Sequence, residues 1–187
     1  MSKLISLLLL VVFSLPARAD DAELAQLAAE DQAVRAGGAD SRSDDVRREK
    51  VLEILAAGGA TTPQDKFNAG IVLQHTGLTF CDGKLQSLSA ENYLLAHFLF
   101  KEAMAGGVKD AKYLVAASID RYLSFTKGLQ RYGTNRVMDQ STGNELLVPI
   151  DRSITDQERA LYDVPPLQEL LSKYPEQPAP NGQRSGG

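Results

Sequence analysis

Apolar residues recur three and four positions apart in five stretches of the chain, each closed by glycine, and this spacing predicts helices rather than strands. From Asp21 to Ala36 the stripe is Leu24, Leu27, Ala28 and Val34, ended by Gly37-Gly38. Asp31 falls on the stripe itself, and Arg35 follows four residues later, spaced to pair with it along the helix. A second helix is expected from Asp44 to Ala57, with Val46, Leu52, Ile54 and Leu55 as its apolar positions before Gly58-Gly59. Thr62-Pro63-Gln64-Asp65 has the chemistry of a helix start: a capping hydroxyl, a proline in the first turn and an acid at the positive end of the dipole. The third helix then carries Phe67, Ile71 and His75 at four-residue spacing, which puts His75 on a buried face, and Gly77 stops it.

Residues 78–88 read as a loop, rich in turn formers around Asp82-Gly83. Ser89 is expected to cap a helix from Ala90 to Ala105, apolar nearly all round through Tyr93, Leu94, Leu95, Phe98, Leu99, Phe100 and Met104. Such a helix belongs at the centre of a bundle. Gly106-Gly107 ends it and a long helix starts at Lys109, so the short connection imposes antiparallel packing. That long helix closes at Gly128, and Gln130-Arg131-Tyr132-Gly133-Thr134 follows as a compact polar-aromatic turn. Segments 134–138 and 145–150 have β character and flank a turn-rich stretch, giving a small hairpin. Thr155-Asp156-Gln157-Glu158 is a capping box, Pro165-Pro166 opens a last helix, and residues from Pro175 onward have the composition of a disordered tail. The expected fold is mainly α: an antiparallel helical bundle in a single domain over 20–174, with a small β-hairpin on the C-terminal side.

The first 19 residues stand apart. Lys3, an apolar run from Leu4 to Leu15 and the small-residue Ala17-Arg18-Ala19 form the three-part layout of a signal peptide cleaved after Ala19. The apolar run falls short of the roughly 20 residues that a membrane helix needs, so a periplasmic or secreted chain with no stable membrane anchor is expected. Removing this segment takes away Lys3 and Arg18 and moves the formal charge from −4 to −6. An acidic chain without a basic cluster excludes nucleic acid as the expected partner. Cys81 is the single cysteine, so no intrachain disulfide forms and stability rests on the core.

Three helices place an ionisable residue among their core-facing positions: Asp31, His75, and Asp120 beside Tyr113 and Ala116. Buried carboxylates need partners. The economical arrangement is one shared polar cluster in which Arg35, Arg121 or Arg131 supplies positive charge. Three readings of that cluster stand side by side. One is a non-catalytic network that fixes helix register and lines a groove for a protein or small-molecule ligand, with Asp31, Arg35, Gln74, Arg121, Gln130 and Tyr132 as ligand-binding candidates. The second is a hydrolase-like site in which His75 is the base, Asp120 orients it and Arg131 stabilises developing negative charge. The third is a metal site using His75, Asp31 and Asp120, which no His-x-x-x-His or cysteine cluster supports, and no nucleophile elbow or phosphate loop is present.

Asp31-Gln32-Ala33-Val34-Arg35, Gln74-His75, Ile119-Asp120-Arg121-Tyr122-Leu123 and Gln130-Arg131-Tyr132-Gly133-Thr134, in this order, resemble an uncharacterised bacterial family of mostly helical proteins. The resemblance extends to Pro165-Pro166-Leu167, and Asn135 stands where that family is associated with a glutamine. It implies that these motifs belong together and implies no activity. The run Ala96…Ala103, Gly106-Gly107, Asp110-Ala111…Leu114…Ala117 is also similar to one tetratricopeptide-like helical hairpin, a class whose arrays bind peptides or proteins. A single unit is visible, whereas a solenoid needs about three.

Overall fold

A computed structural model describes residues 19–81 and 84–178; the expected signal peptide lies, apart from its last residue, outside them. Five main helices follow in order: α1 (Ala22–Arg35), α2 (Asp44–Ala56), α3 (Pro63–Gln74), α4 (Glu91–Ala105) and α5 (Ala111–Lys127). Between α3 and α4 comes an antiparallel pair, β1 (Leu78–Cys81) and β2 (Lys84–Ser87), where a loop is expected from the sequence. Turn residues mark the bend but are silent on whether the flanks pair. After α5 come β3 (Arg136–Met138) and β4 (Glu145–Leu147), which form the expected hairpin, and then α6 (Asp156–Ala160) and α7 (Leu167–Lys173). The fold is a helical bundle with two small antiparallel strand pairs.

The helix ends obey the local chemistry. The Thr62 hydroxyl accepts from the Asp65 backbone N–H, and the Asp65 carboxylate accepts in return from the N–H groups of Thr61 and Thr62. Asp65 also accepts from the Asp21 N–H at 2.6 Å, which ties the start of α1 to the start of α3. Thr155 and Glu158 form the second reciprocal cap. Gly37, Gly58 and Gly107 take positive φ just past α1, α2 and α4, and the next residue's N–H returns to the carbonyl five positions back. Ser89 does not cap α4: the helix begins after Ala90 with no side-chain cap, and the Ser89 hydroxyl donates to Glu91 instead.

α4 packs against both α3 and α5, and α3 also meets α1 and α2. The main core gathers Leu24, Leu27, Val51, Leu73, Phe100 and Val115 around buried alanines 69, 96, 103 and 111. Gly70 lets α3 and α4 approach, since a β-carbon there would lie 2.6 Å from the Phe100 ring. A second core under the C-terminal half gathers Ala116, Tyr132, Leu147, Ile150, Ile154, Val164 and Leu170. α2 departs from expectation in part: Ile54 and Leu55 pack against the core as expected, but Val46 and Leu52 are exposed, while Arg47, Arg48 and Val51 are buried. Arg47 turns inward because Asp40, Asp44 and the Arg42 carbonyl surround its guanidinium, so the α1–α2 connection folds around a cation. Residues 175–178 also differ from the disordered tail expected from Pro175 onward. The Pro175 carbonyl and the Gln177 N–H bond Leu147, so 175–178 lie along β4, and 179–187 are outside the described residues.

Candidate functional site

The expected single polar cluster is two assemblies. The first is built on Asp120, which is fully buried on α5. Its two oxygens accept from the backbone N–H groups of Arg131, Tyr132, Gly133 and Thr134 at 2.7–2.9 Å and from the Thr134 hydroxyl at 2.8 Å. Burial pushes the Asp120 carboxyl up from its ordinary range, and the donors of Thr134, Tyr132 and Arg131 pull against it. Four of its five partners can only donate, so the arrangement satisfies a carboxylate. Gly133 sits at φ 102 within this loop, packed against Leu170 and Ile150.

The rest of the Gln130–Thr134 motif closes the same loop. The Gln130 amide donates to the carbonyls of Asn135 and Val148 and accepts from the Asn135 N–H, with no exposure left. Tyr132 packs edge-on to Tyr162 in the second core. Arg159, 1 % exposed, donates to the carbonyls of Tyr132 and Ile154 and pins the loop to α6. Gln130 and Tyr132, expected as ligand contacts, are therefore consumed in architecture. Asp120 does not orient His75, because both of its oxygens are taken by the loop. Arg131 is exposed over the Tyr132 ring and does not line the cavity described next.

The second assembly faces a cavity of about 600 Å³. Asp31, 1 % exposed, meets His75 Nδ1 through Oδ2 at 2.6 Å, and it accepts from the Gln32 amide and from Arg35. His75 is the residue that ends α3, and it lines the cavity. With Nδ1 donating to a carboxylate, a neutral imidazole keeps its lone pair on Nε2. That atom makes no hydrogen bond among the described residues and is not sealed from solvent. Arg35 pairs with Asp44 at 2.6 Å as well as with Asp31.

Arg121, one residue beyond Asp120, lines the cavity. Its Nη1 donates to the Gln74 carbonyl at 2.9 Å, and its guanidinium lies 5.7 Å from the centre of the Tyr93 ring. Tyr93 in turn stacks on Phe125. Among the described residues Arg121 has no carboxylate within salt-bridge distance. Burial pushes its guanidinium below the usual value, and the charge of Arg35 pushes the same way. Gln74 enters through this backbone carbonyl; its side-chain oxygen is buried without a hydrogen-bond partner among the described residues. Arg136 of β3 also lines the cavity, with its guanidinium stacked over the Tyr174 ring at 4.5 Å and paired with Glu145 at 3.6 Å, and Asp44 is the only lining acid among the described residues, already paired with Arg35. Leu78, Leu85, Tyr93, Phe125, Val137 and Val148 supply apolar surface.

Sequence reasoning finds Asp31, Arg35, His75, Gln74 and Arg121, which the fold brings together. It misses Arg136, Asp44, Tyr93, Phe125 and Asn135. Asn135 joins the Gln130 loop to Ser124 by a hydrogen bond of 3.0 Å and lines the cavity with it. Only the β-hairpin position of Arg136 could have suggested it, because the pairing of β3 with β4 decides which wall it joins. The described residues hold no group of His, Cys, Asp and Glu arranged to take a metal ion, and no helix among them is long and apolar enough to cross a membrane. No family model, curated protein sequence or solved structure matches the chain.

Proposed function

We propose that this chain is an exported binding module whose ligand is a small molecule with an anionic group and an apolar body, held in the His75 cavity. Arg121 carries the reading. A half-buried guanidinium without a carboxylate partner loses hydration and gains little in return, and an anionic ligand would supply the missing charge. Arg35 and Arg136 also line the cavity, but each is already paired with a carboxylate, which leaves Arg121 as the lining guanidinium open to a ligand's charge. The aromatic and aliphatic walls suit an apolar body, and the volume lies within the roughly 300–1,000 Å³ of small-molecule pockets. Export rests on the signal-peptide layout of the first 19 residues.

The test is calorimetric titration of the chain without its first 19 residues against octanoate, phenyl phosphate and para-acetamidobenzoate, with octanol and benzamide as neutral counterparts. Saturable binding of an anion, lost in Arg121→Met and absent for the neutral compounds, supports the proposal. Equal binding of neutral and anionic probes, or binding that survives Arg121→Met, refutes it.

A further inference from the structure

We propose that His75 acts in this cavity as a general base for hydrolysis of a carboxylic ester that carries a separate anionic group, with Asp31 as its positioning residue. The inference rests on the anion-binding reading above and adds a reaction to it. The imidazole is oriented by a carboxylate that is itself held from two further sides, by Gln32 and Arg35. Such support fixes which ring nitrogen carries the proton and leaves Nε2 as the acceptor reachable from the cavity. Arg121 donates to the carbonyl of Gln74, the residue covalently joined to His75, and both Arg121 and His75 line the cavity.

The step needs water and nothing else. Nε2 takes a proton from a water molecule as its oxygen forms a bond to the ester carbonyl carbon, and the carbonyl electron pair moves onto oxygen. The tetrahedral intermediate collapses, the bond to the alcohol oxygen breaks, and the imidazolium returns its proton to that oxygen. One carboxylic acid and one alcohol leave, and His75 is neutral again. An acyl centre suits this geometry better than a phosphodiester. Its reacting group is neutral before attack, which leaves Arg121 to the substrate's remote anion, whereas a phosphodiester would bring its own charge to that guanidinium. The separate anion of the ester is matched by Arg121, as in the binding reading above.

The substrate probe is para-acetoxybenzoate, an ester with a remote carboxylate, run beside neutral phenyl acetate and bis(para-nitrophenyl) phosphate. Its uncleavable amide, para-acetamidobenzoate, reports binding. Cleavage of para-acetoxybenzoate is expected, with His75→Gln lowering kcat by about 100-fold or more while KM stays within about threefold. Asp31→Asn is expected to lower kcat by at least about tenfold at similar KM. Asp31 is buried, so circular dichroism accompanies that variant, and the partly exposed His75 decides the matter if Asp31→Asn does not fold. Amide binding with no ester cleavage, or cleavage that His75→Gln leaves unchanged, overturns this proposal and leaves the binding module standing. Faster cleavage of the phosphodiester overturns the acyl assignment, and absence of both binding and cleavage overturns both proposals.

Discussion

Asp120 and Arg121 are consecutive on α5, and their side chains serve different structures: Asp120 closes the 131–134 loop through five hydrogen bonds, while Arg121 lines the cavity and holds the carbonyl before His75. Helical geometry turns neighbouring residues about 100° apart, so one short motif addresses both assemblies. The loop that Asp120 organises delivers Asn135 and Arg136 to the cavity wall. The acid thus shapes the site without lining it.

Asp120→Asn should therefore act on stability. The asparagine amide turns a donor toward backbone donors and leaves buried N–H groups unpaired, at a cost of about 3 kcal/mol or more. Thr134→Val, which removes one of the five bonds, should cost about 1 kcal/mol. Urea denaturation with unchanged m-values measures both. An Asp120→Asn protein as stable as the parent would show that the five bonds do not hold the loop.

Arg121→Met should behave oppositely. It removes one hydrogen bond to Gln74 and also relieves a desolvated, unpaired cation, so the unfolding free energy should stay within about 1 kcal/mol of the parent. Binding of anionic probes should be lost in the same protein. A loss of stability as large as that of Asp120→Asn would mark Arg121 as structural.

Glycine-closed apolar stripes and capping sequences are local physics, which is why the five main helices, their ends at Gly37, Gly58 and Gly128, and the caps at Thr62 and Thr155 are legible in the residues alone. What depends on distant partners is not. Arg47 is no part of the apolar stripe expected for α2, yet Asp40, Asp44 and the Arg42 carbonyl close around it and it is buried, while Val46 and Leu52 of that stripe are exposed. Polar residues on apolar stripes do flag buried charge, and Asp31 meets His75 and Arg35 as the packing of α1 on α3 dictates. Asp120 reads as part of the same cluster because a sequence shows which side chains are cations. It does not show which backbone N–H groups a folded loop will turn toward a carboxylate.

His97 gives a pH dependence of defined sign. Burial lowers its pKa below the ordinary value near 6.5, and Lys101 and Arg131 push the same way, while its bond to the Val115 carbonyl opposes them. Below that ordinary value the unfolded chain takes up a proton that the folded chain resists, so stability falls as pH falls through this window. His97→Asn keeps a donor for Val115 and removes the titration. The loss of stability between pH 7.5 and pH 5.5 should then be smaller in the variant than in the parent (roughly the window set by the ordinary histidine value). An identical loss in both would show that His97 does not contribute.

Gly70→Ala tests how closely α3 and α4 pack. Alanine gains about 1 kcal/mol in helix propensity over glycine, yet its β-carbon would lie 2.6 Å from Cε1 and 2.9 Å from Cζ of Phe100, a fully buried ring. Overpacking a rigid site costs about 1–3 kcal/mol, so the net change should be destabilising by about 1 kcal/mol. The ring is the cause, and shortening it should remove the conflict: in a Phe100→Leu background Gly70→Ala should be neutral or stabilising relative to Phe100→Leu alone. Denaturation of the four proteins of this cycle gives the coupling directly. If Gly70→Ala destabilises by the same amount in both backgrounds, the glycine is needed for something other than room for Phe100.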